Sequence, residues 1–261
     1  NNQGVLDAVQ IVAPAGTLVN AVFPAPVAAR ANTCQRIIDV VLGALAEAFP
    51  ERVVAAANGA NTTAVFSGID PRSGASYLYL ETLGGGMGGR PMKDGKDGVQ
   101  VHITNTSNLP IEAIEMEYPL LVEEYSLVTD SAGAGCFRGG MGLRRVVRPR
   151  GHDCIFNGAG ERFRHPPWGL FGGASGGMGR FMLRTIDGEH RLEDKPDQVS
   201  IGPGDAVVIE TPGAGGFKPA ADRAPKAIAA DRATGKFSEE YLNRHYGHLA
   251  QTTSKEDIDG G

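Results

Sequence analysis

The sequence contains few cysteines, and their spacing excludes two common structural devices. Its three cysteines, Cys34, Cys136 and Cys154, form no CxxC pair in a chain of 261 residues. An odd count without such a pair argues against a disulfide framework and against a zinc ribbon. The first residues also lack the charged and apolar regions of a secretory signal. We therefore expect a cytoplasmic protein in a reducing compartment.

Long apolar runs and an excess of basic residues are also absent. No stretch approaches the roughly 20 apolar residues that a membrane-spanning helix needs. The net charge of −5 indicates no basic surface of the kind that binds nucleic acids. We therefore expect neither a membrane nor a nucleic acid among the partners of this chain.

The common phosphate-binding motifs are missing as well. No GxxxxGK[ST] loop occurs, and no glycine cluster joins a strand to a helix as a GxGxxG loop does. The triplet HDC at 152–154 places three types of metal ligand side by side, but a strand directs neighbouring side chains to opposite faces. We expect this chain alone to bind no nucleotide and no metal, and no catalytic nucleophile is evident.

Glycine, by contrast, is abundant. The 37 glycines are about twice the usual share, and they cluster at 84–89, 133–142, 172–179 and 213–216. Such clusters predict turns and close approaches of the backbone. Short strands alternate with them, which predicts an α+β fold that is rich in β-structure and has a barrel-like or sandwich-like C-terminal half.

The helices are predicted from apolar spacing. A long amphipathic helix is predicted near residues 34–49, capped by Asn32 or Thr33 and ended by Pro50. Its apolar stripe, which we expect to pack in the core, comprises Ile37, Ile38, Val41, Leu42, Leu45 and Phe49. Two short C-terminal helices are predicted at 223–235 and 238–247, the second capped by Ser238.

These elements predict four parts of the chain. They are a mixed α/β part (1–142), a β-rich subdomain (143–220), a helical tail (221–248) and a polar segment expected to be disordered (249–261).

Two glycine-rich loops carry charged candidates for a site. The loop "DSAGAGCFRGGMG" (130–142) offers backbone N–H groups and Arg138 to an anion. The alternative is a structural loop in which Asp130 caps its own turn. The loop at 84–98 carries Arg90 and Lys93, and it is either a charged lid over a substrate or a solvated hairpin tip or subunit contact.

A third candidate segment is "ERFRHPPWGLFGG" (161–173). It places Arg162, Arg164, His165 and Trp168 close together. Tryptophan and arginine are enriched at protein interfaces, so we favour a subunit interface. A substrate pocket and ordinary packing are the alternatives.

Several segments together resemble one family, that of hydantoinase B and 5-oxoprolinase. The similarity runs in order over about residues 1–247. The segments that carry it are "APAGTLVNAVFPAPVAAR" (13–30), "QRIIDVVLGALAEAFPERV" (35–53), "NTSNLPIEAIEMEYPLLVEEYSL" (105–127), the loop 130–142, the segment 161–173, "ETPGAGGF" (210–217) and residues 222–247.

The resemblance implies an enzyme subunit. The family includes subunits of N-methylhydantoinase, 5-oxoprolinases and the acetone and acetophenone carboxylases, which work with an A-type subunit that binds ATP and Mg. It implies that ATP phosphorylates an oxygen of a cyclic amide or an enolised ketone, and that hydrolysis or carboxylation follows. The expected reaction is the opening of a hydantoin, 5-oxoproline or a lactam. A ketone carboxylase and a non-catalytic bracing subunit are the alternatives.

One departure from the family pattern limits what this chain does alone. B-type chains of the family are about twice as long, and their His/Asp motifs for a divalent metal lie in the N-terminal half, which this sequence lacks. The resemblance therefore implies the C-terminal half of a B-type subunit, inactive alone, from a split gene, from processing or from an incomplete chain. Its expected partners are an A-type subunit and a chain carrying the N-terminal half, in a hetero-oligomer. The resemblance transfers no catalytic residue, and it leaves the two interpretations of the loop 130–142 about equal.

Overall fold

The computed structural model describes Gly4, Asp7 and residues 9–59 and 61–256. Its helices are α1 (Arg30–Ala44), α2 (Ile111–Glu117), α3 (Pro225–Ala233) and α4 (Glu239–Glu256). Its strands are β1 (Thr62–Ile69), β2 (Ser76–Leu83), β3 (Leu120–Leu127), β4 (Leu143–Pro149), β5 (Cys154–Ala159), β6 (Arg180–Thr185), β7 (Gly188–Arg191), β8 (Val199–Ile201) and β9 (Ala206–Glu210). A 3₁₀ turn at Ala220–Asp222 precedes α3. The predicted α+β class is confirmed.

The strands form two antiparallel sheets. The first has the order β2-β1-β5-β8, and the second has the order β3-β4-β9-β6-β7. Phe66 and Phe156 of the first sheet share one core with Phe181 and Ile209 of the second. The rings of Phe156 and Phe181 meet edge to face with centroids 5.6 Å apart. In the described part of the chain the sheets are therefore sandwich-like, and they close no barrel.

The glycine clusters form a layer in which loops contact one another through their backbones. Gly86 N–H donates to Pro212 O at 3.0 Å, and Gly140 N–H donates to Met87 O at 2.8 Å. A Cβ atom on Gly140 would overlap the Lys96 carbonyl oxygen, and one on Gly88 would overlap that of Ala55. The predicted close approaches of the backbone are thus found, and they join loops that are far apart in sequence.

Helix α1 departs from its prediction in both bounds and orientation. It begins at Arg30 without a side-chain cap and ends at Ala44, although a turn continues beyond it, with Phe49 N–H bonded to Leu45 O. The expectation that its apolar stripe packs in the core is wrong for much of the stripe. Ile37 and Val41 are 41% and 48% exposed, whereas the polar side chains Gln35 and Asp39 are buried.

The reason is that the inner side of α1 rests largely on polar groups, although Leu42 packs against the small apolar cluster of Ala46, Val53 and Phe217. Gln35 Nε2 donates to Val101 O at 2.9 Å and to Thr104 Oγ1 at 3.0 Å. Asp39 accepts a hydrogen bond from His102 at 3.0 Å. A buried polar side chain is tolerated when its hydrogen bonds are satisfied, so these partners determine which face turns inward.

The two C-terminal helices lie where they are predicted. Ser238 caps α4, because its Oγ accepts a hydrogen bond from Tyr241 N–H at 3.0 Å. Helix α4 continues to Glu256 and so enters the segment expected to be disordered, which has no glycine or proline before Gly260 to end a helix. Residues 257–261 lie outside the described residues, and the division into four parts stays a prediction.

None of the helices in the described residues is long and apolar enough to span a bilayer.

The packing of the glycine layer generates a first prediction. Replacing Gly140 with alanine places a methyl group on the Lys96 carbonyl, and such overpacking costs roughly 3 kcal/mol of unfolding free energy. The matched control is Gly204→Ala, since a Cβ there meets nothing within 4 Å, and its effect should stay within about 1 kcal/mol. Urea denaturation measures both. Equal unfolding midpoints for the two variants would show that the layer is looser than described.

Candidate functional site

A charged cavity of about 800 Å³ lies between α1 and the loops that follow β5 and β7. Its lining residues are Arg36, Gly160, Glu161, Arg162, Phe163, Arg164, His165, Glu193, Asp194 and Lys195. The cavity brings together three of the predicted site residues, Arg162, Arg164 and His165. Its size is in the range of small-molecule binding sites.

The base of the cavity, formed by Arg36 and Arg162, rests on one buried carboxylate behind them. Asp39 is 2% exposed, and its Oδ2 accepts hydrogen bonds from Arg36 Nη2 at 2.7 Å and from Arg162 Nη2 at 3.0 Å. Its Oδ1 contacts His102 Nε2 at 3.0 Å. Two guanidinium groups and an imidazole therefore share one acidic group.

Electrostatics at the base favour a further acceptor. Burial raises the pKa of Asp39, but the hydrogen bond from His102 and the charge of Arg36 outweigh it, so the pKa lies below its usual value. Burial lowers the pKa of Arg36, and the neighbouring charge of Arg162 lowers it further. Arg162 Nε is buried without a hydrogen-bond partner among the described residues. An anionic oxygen at this position would accept a hydrogen bond from Arg162 Nε, and its charge would stabilise the protonated form of Arg36.

The backbone around the base requires a glycine at residue 59. Gly59 has a φ of +93°, and a Cβ there would lie 2.5 Å from Arg36 Nη2 and 2.7 Å from Arg162 Cγ. The Gly59 carbonyl also accepts a hydrogen bond from Arg36 Nε at 2.7 Å. His102 and Arg162 have left-handed φ values of 57° and 59°. Such backbone conformations are uncommon for these residues, and they cluster at functional sites.

The rim of the cavity carries exposed ion pairs. Arg164 Nε contacts Asp194 Oδ2 at 2.5 Å, and its side chain is 80% exposed. Lys195 lies 3.7 Å from Glu161. Exposed pairs of this kind contribute little to stability, and they neutralise each other. The one unpartnered buried donor among the described lining residues, Arg162 Nε, thus lies at the base rather than at the rim.

Comparison with known proteins identifies the family. The model of the family described as "Hydantoinase B/oxoprolinase" matches residues 1–219. The chain belongs to this family. The resemblance drawn from the sequence segments is thereby confirmed.

Three curated relatives of this hydantoinase B-type chain illustrate the range of the family. The putative B subunit of a D-/L-hydantoinase from a Pseudomonas species is 33% identical over 99% of this chain and 43% of its own length. The beta subunit of caprolactamase from Pseudomonas jessenii is 33% identical over 94% of this chain and 44% of its own length. The 5-oxoprolinase 1 of Arabidopsis thaliana is 36% identical over 83% of this chain and 16% of its own length. The chain spans less than half the length of each.

Two solved structures share the fold. The crystal structure of the ATP-dependent caprolactamase from Pseudomonas jessenii superposes with a TM-score of 0.73 at 29% identity, covering 91% of this chain and 42% of that chain. The nucleotide-free structure of acetone carboxylase gives a TM-score of 0.58 at 18% identity, covering 78% and 31%. The second likeness shows the fold alone.

In this hydantoinase B-type chain, the family loop 130–142 is held to other segments by ion pairs. Arg138 is buried and donates to Asp97 at 2.9 Å and to Asp231 at 3.1 Å. Burial lowers the pKa of Arg138, but the charge of Asp97 outweighs it and raises the pKa. Arg223 also binds Asp231, at 2.7 Å. The guanidinium of Arg138 is therefore occupied by carboxylates of the protein itself.

The carboxylate of Asp130 is likewise bonded to a residue of the same chain. Its two carboxylate oxygens accept hydrogen bonds from Ser238 N–H at 2.9 Å and Ser238 Oγ at 2.6 Å, so it anchors the start of α4 rather than capping its own turn. A cavity of about 300 Å³ places it near Ser175 and His245. Ser175 belongs to a GxSxG string, but its neighbours form no strand–turn–helix elbow. A role for Asp130 and Arg138 beside a substrate stays a prediction.

The remaining sequence candidates lie outside the charged cavity. Arg90 and Lys93 pair across a tight turn, and Arg90 Nη2 donates to Asp94 O at 2.6 Å. The ring of Trp168 packs against α1, where a Cβ on Gly43 would lie 3.0 Å away from it. Trp168 therefore contacts its own chain, and the interface interpretation of residues 161–173 stays a prediction.

Sequence reasoning missed the residues at the base of the cavity. Arg36, Asp39 and His102 form no recognisable spacing, because His102 lies 63 positions after Asp39. A signal was nevertheless present, since Gln35, Arg36 and Asp39 mark a polar face in the otherwise apolar stretch from Gln35 to Ala44. Among the described residues, no three His, Cys, Asp or Glu side chains are arranged to hold a metal ion, and the expectation about the metal stays a prediction.

The shared carboxylate generates the second prediction. Asp39→Asn leaves two arginines without their common counter-charge, and breaking such a buried pair costs about 3–5 kcal/mol of unfolding free energy. Because the pKa of Asp39 is lowered in the folded state, its ionised carboxylate contributes to the free energy of unfolding. This contribution is complete above the unfolded-state pKa of about 3.9. That contribution is lost as the pH falls through the folded-state pKa.

The difference between Asp39→Asn and the wild type should accordingly be full at pH 7 and shrink below about pH 4. Urea unfolding at several pH values measures it. Asp187→Asn, in the exposed turn between β6 and β7, is the control and should change little at any pH. A difference for Asp39→Asn that does not depend on pH would contradict the assignment of charge to Asp39.

Proposed function

We propose that this chain is part of a B-type subunit of an ATP-dependent enzyme that opens a small cyclic amide, such as a hydantoin, 5-oxoproline or a lactam. The observation that carries the proposal is its similarity, at above 30% identity, to relatives named as a hydantoinase subunit, a 5-oxoprolinase and a caprolactamase subunit. These three names share one chemistry, which is hydrolysis of an amide bond within a ring.

The proposal includes partners, because the chain spans less than half of each of these relatives. An A-type subunit would bind ATP and Mg, and a B-type N-terminal half would hold a divalent metal. The described residues of this chain provide no metal cluster, so the proposal assigns it no step through a metal. Two of the relatives are named as subunits of larger enzymes, which supports a hetero-oligomer. We further propose that the chain is inactive alone and works in the cytoplasm.

Within that reaction, the charged cavity would hold an anionic oxygen. Phosphorylation of the amide oxygen by ATP releases ADP and yields a phosphorylated imidate, and ring opening by water releases phosphate and yields a carboxylate. The intermediate and the product therefore both carry anionic oxygens. Arg162 and Arg36 are placed to donate charge-assisted hydrogen bonds to this group. Asp39 acts as a positioning residue, because it accepts hydrogen bonds from both guanidinium groups. His102 acts through Asp39, whose carboxylate it contacts.

A ketone carboxylase is the weaker candidate. Its support is the acetone carboxylase structure, which is 18% identical to this chain. A likeness at that level indicates a shared fold but not a shared reaction. A bracing role without catalysis is the third possibility. It is supported by Arg138 and Arg223, both of which pair with carboxylates inside the chain.

A coupled assay separates the two reactions. The complex, purified with the polypeptides that accompany this chain, is expected to hydrolyse ATP when given one of hydantoin, 5-oxoproline or caprolactam, and to release the ring-opened acid. ADP formation and the acid are measured together. ATP consumption that requires acetone or acetophenone with bicarbonate would instead establish the carboxylase, and indifference to all of these compounds would refute both.

A variant of the cavity tests whether this chain takes part. Arg162→Gln removes a charged donor at the base, and kcat/KM for the cyclic amide should fall about 10- to 100-fold, as the loss of a charge-assisted hydrogen bond implies. The matched control is Arg148→Gln, at a partly exposed pair with Glu123 on β4. Assembly is checked by gel filtration. Full turnover of an assembled Arg162→Gln complex would favour the bracing role.

A further inference from the structure

The N-terminal part of the chain exposes an unusual amount of apolar surface. Of the 24 large apolar side chains that are exposed among the described residues, 13 belong to residues 9–49. That stretch is less than a fifth of the sequence, so the exposure is concentrated rather than scattered. Single exposed apolar residues are ordinary, but a concentration of them marks an interaction surface.

Helix α1 contributes one part of this surface. Ile37, Val40 and Val41 lie on neighbouring turns of the helix and are 41%, 68% and 48% exposed. The opposite face of the helix holds the buried Asp39. The outward orientation of the apolar residues is therefore fixed by the polar contacts beneath the helix, and α1 cannot turn them inward without breaking those contacts.

The segment 9–29, which leads into α1, contributes the other part. It contains no charged residue and no helix or strand. Leu18 and Phe23 are 87% and 94% exposed. Its turn is held by local bonds, with Gly16 N–H donating to Asn20 O and Asn20 Nδ2 donating to Ala13 O. A long uncharged surface of this kind is typical of the core of a protein interface, from which charged residues are depleted.

We propose that the outer face of α1 and the segment 9–29 together form the docking surface for the part of a B-type subunit that this sequence does not include. This rests on the proposed function. The solved caprolactamase chain is matched over 42% of its length, and the hydantoinase and caprolactamase subunits over 43% and 44%. More than half of each of those polypeptides therefore lies outside the matched region.

The location of the surface gives the docking a functional meaning. The outer face of α1 lies one helix diameter, about 10 Å, from the Asp39 carboxylate on the inner face. A polypeptide bound there would therefore sit close to the charged cavity, to which α1 contributes Arg36. The proposed metal-bearing half and the two arginines would then lie on opposite sides of α1, about one helix diameter apart.

Photo-crosslinking within the assembled complex tests the docking surface. A benzoylphenylalanine residue is introduced at Val40 or at Leu18, the purified complex is irradiated, and the crosslinked peptides are identified by mass spectrometry. Both positions should crosslink to peptides of the remaining B-type polypeptide. The control position is Ile186, which is 98% exposed in the turn after β6 and should give no such crosslink.

Several outcomes would overturn the proposal. They are crosslinks from Val40 and Leu18 to a second copy of this chain, crosslinks to the A-type subunit instead, and the absence of crosslinks at both positions. Because the readout is peptide identity, it does not depend on which substrate the enzyme uses. A failed activity assay and a failed docking surface are thereby distinguishable.

A charge substitution provides a second readout. Val40→Glu places an unpaired carboxylate in the proposed interface and should weaken binding of the remaining B-type polypeptide at least about tenfold. Ile186→Glu should leave binding unchanged. Both side chains are exposed in this chain, so circular dichroism should show that both variants fold. Equal binding by the two variants would also contradict the proposal.

Discussion

Close approach of glycine-rich backbones is the constraint on which the rest of this structure depends. The loop at 84–98 hydrogen-bonds to residues 55–58, through Gly89 O to Ala55 N–H and through Gly86 O to Asn58 N–H. This contact places Gly59, whose lack of a side chain makes room for Arg36 and Arg162. The cavity thus owes its shape to contacts between loops that have no part in its lining. Most of this geometry is transmitted through backbone hydrogen bonds between the loops.

Much of the fold is readable from the sequence because it depends on local chemistry. The glycine clusters, the alternating short strands and the Ser238 cap follow from residue preferences over a few positions. The orientation of α1 does not. An amphipathic pattern shows that two faces differ, but Val101 and His102, which bond to Gln35 and Asp39, lie more than 60 positions away in the chain. Tertiary contacts therefore decided which face was buried.

The candidate site divides along the same line. Arg162, Arg164 and His165 are close in sequence, so their grouping in one cavity could be foreseen from the unusual segment that contains them. Arg36 and Asp39 lie on another element altogether, and only the folded chain brings them to Arg162. Arg138 is the opposite case. Its glycine-rich setting left an anion site and a structural loop as equal interpretations, and in the structure its guanidinium pairs with two distant aspartates.

The ion pairs of Arg138 constrain the order in which the protein can fold during its synthesis. Arg138 and its partner Asp231 are separated by 93 positions, and Arg223, Asp231 and Lys236 all lie on or beside α3. During synthesis, Arg138 in the loop 130–142 can pair with Asp97, which precedes it, but its bond to Asp231 forms only after α3 has emerged. Contacts of such long sequence separation slow folding. Residues 223–236, which are translated well after the loop 130–142, thus complete its ion pairs.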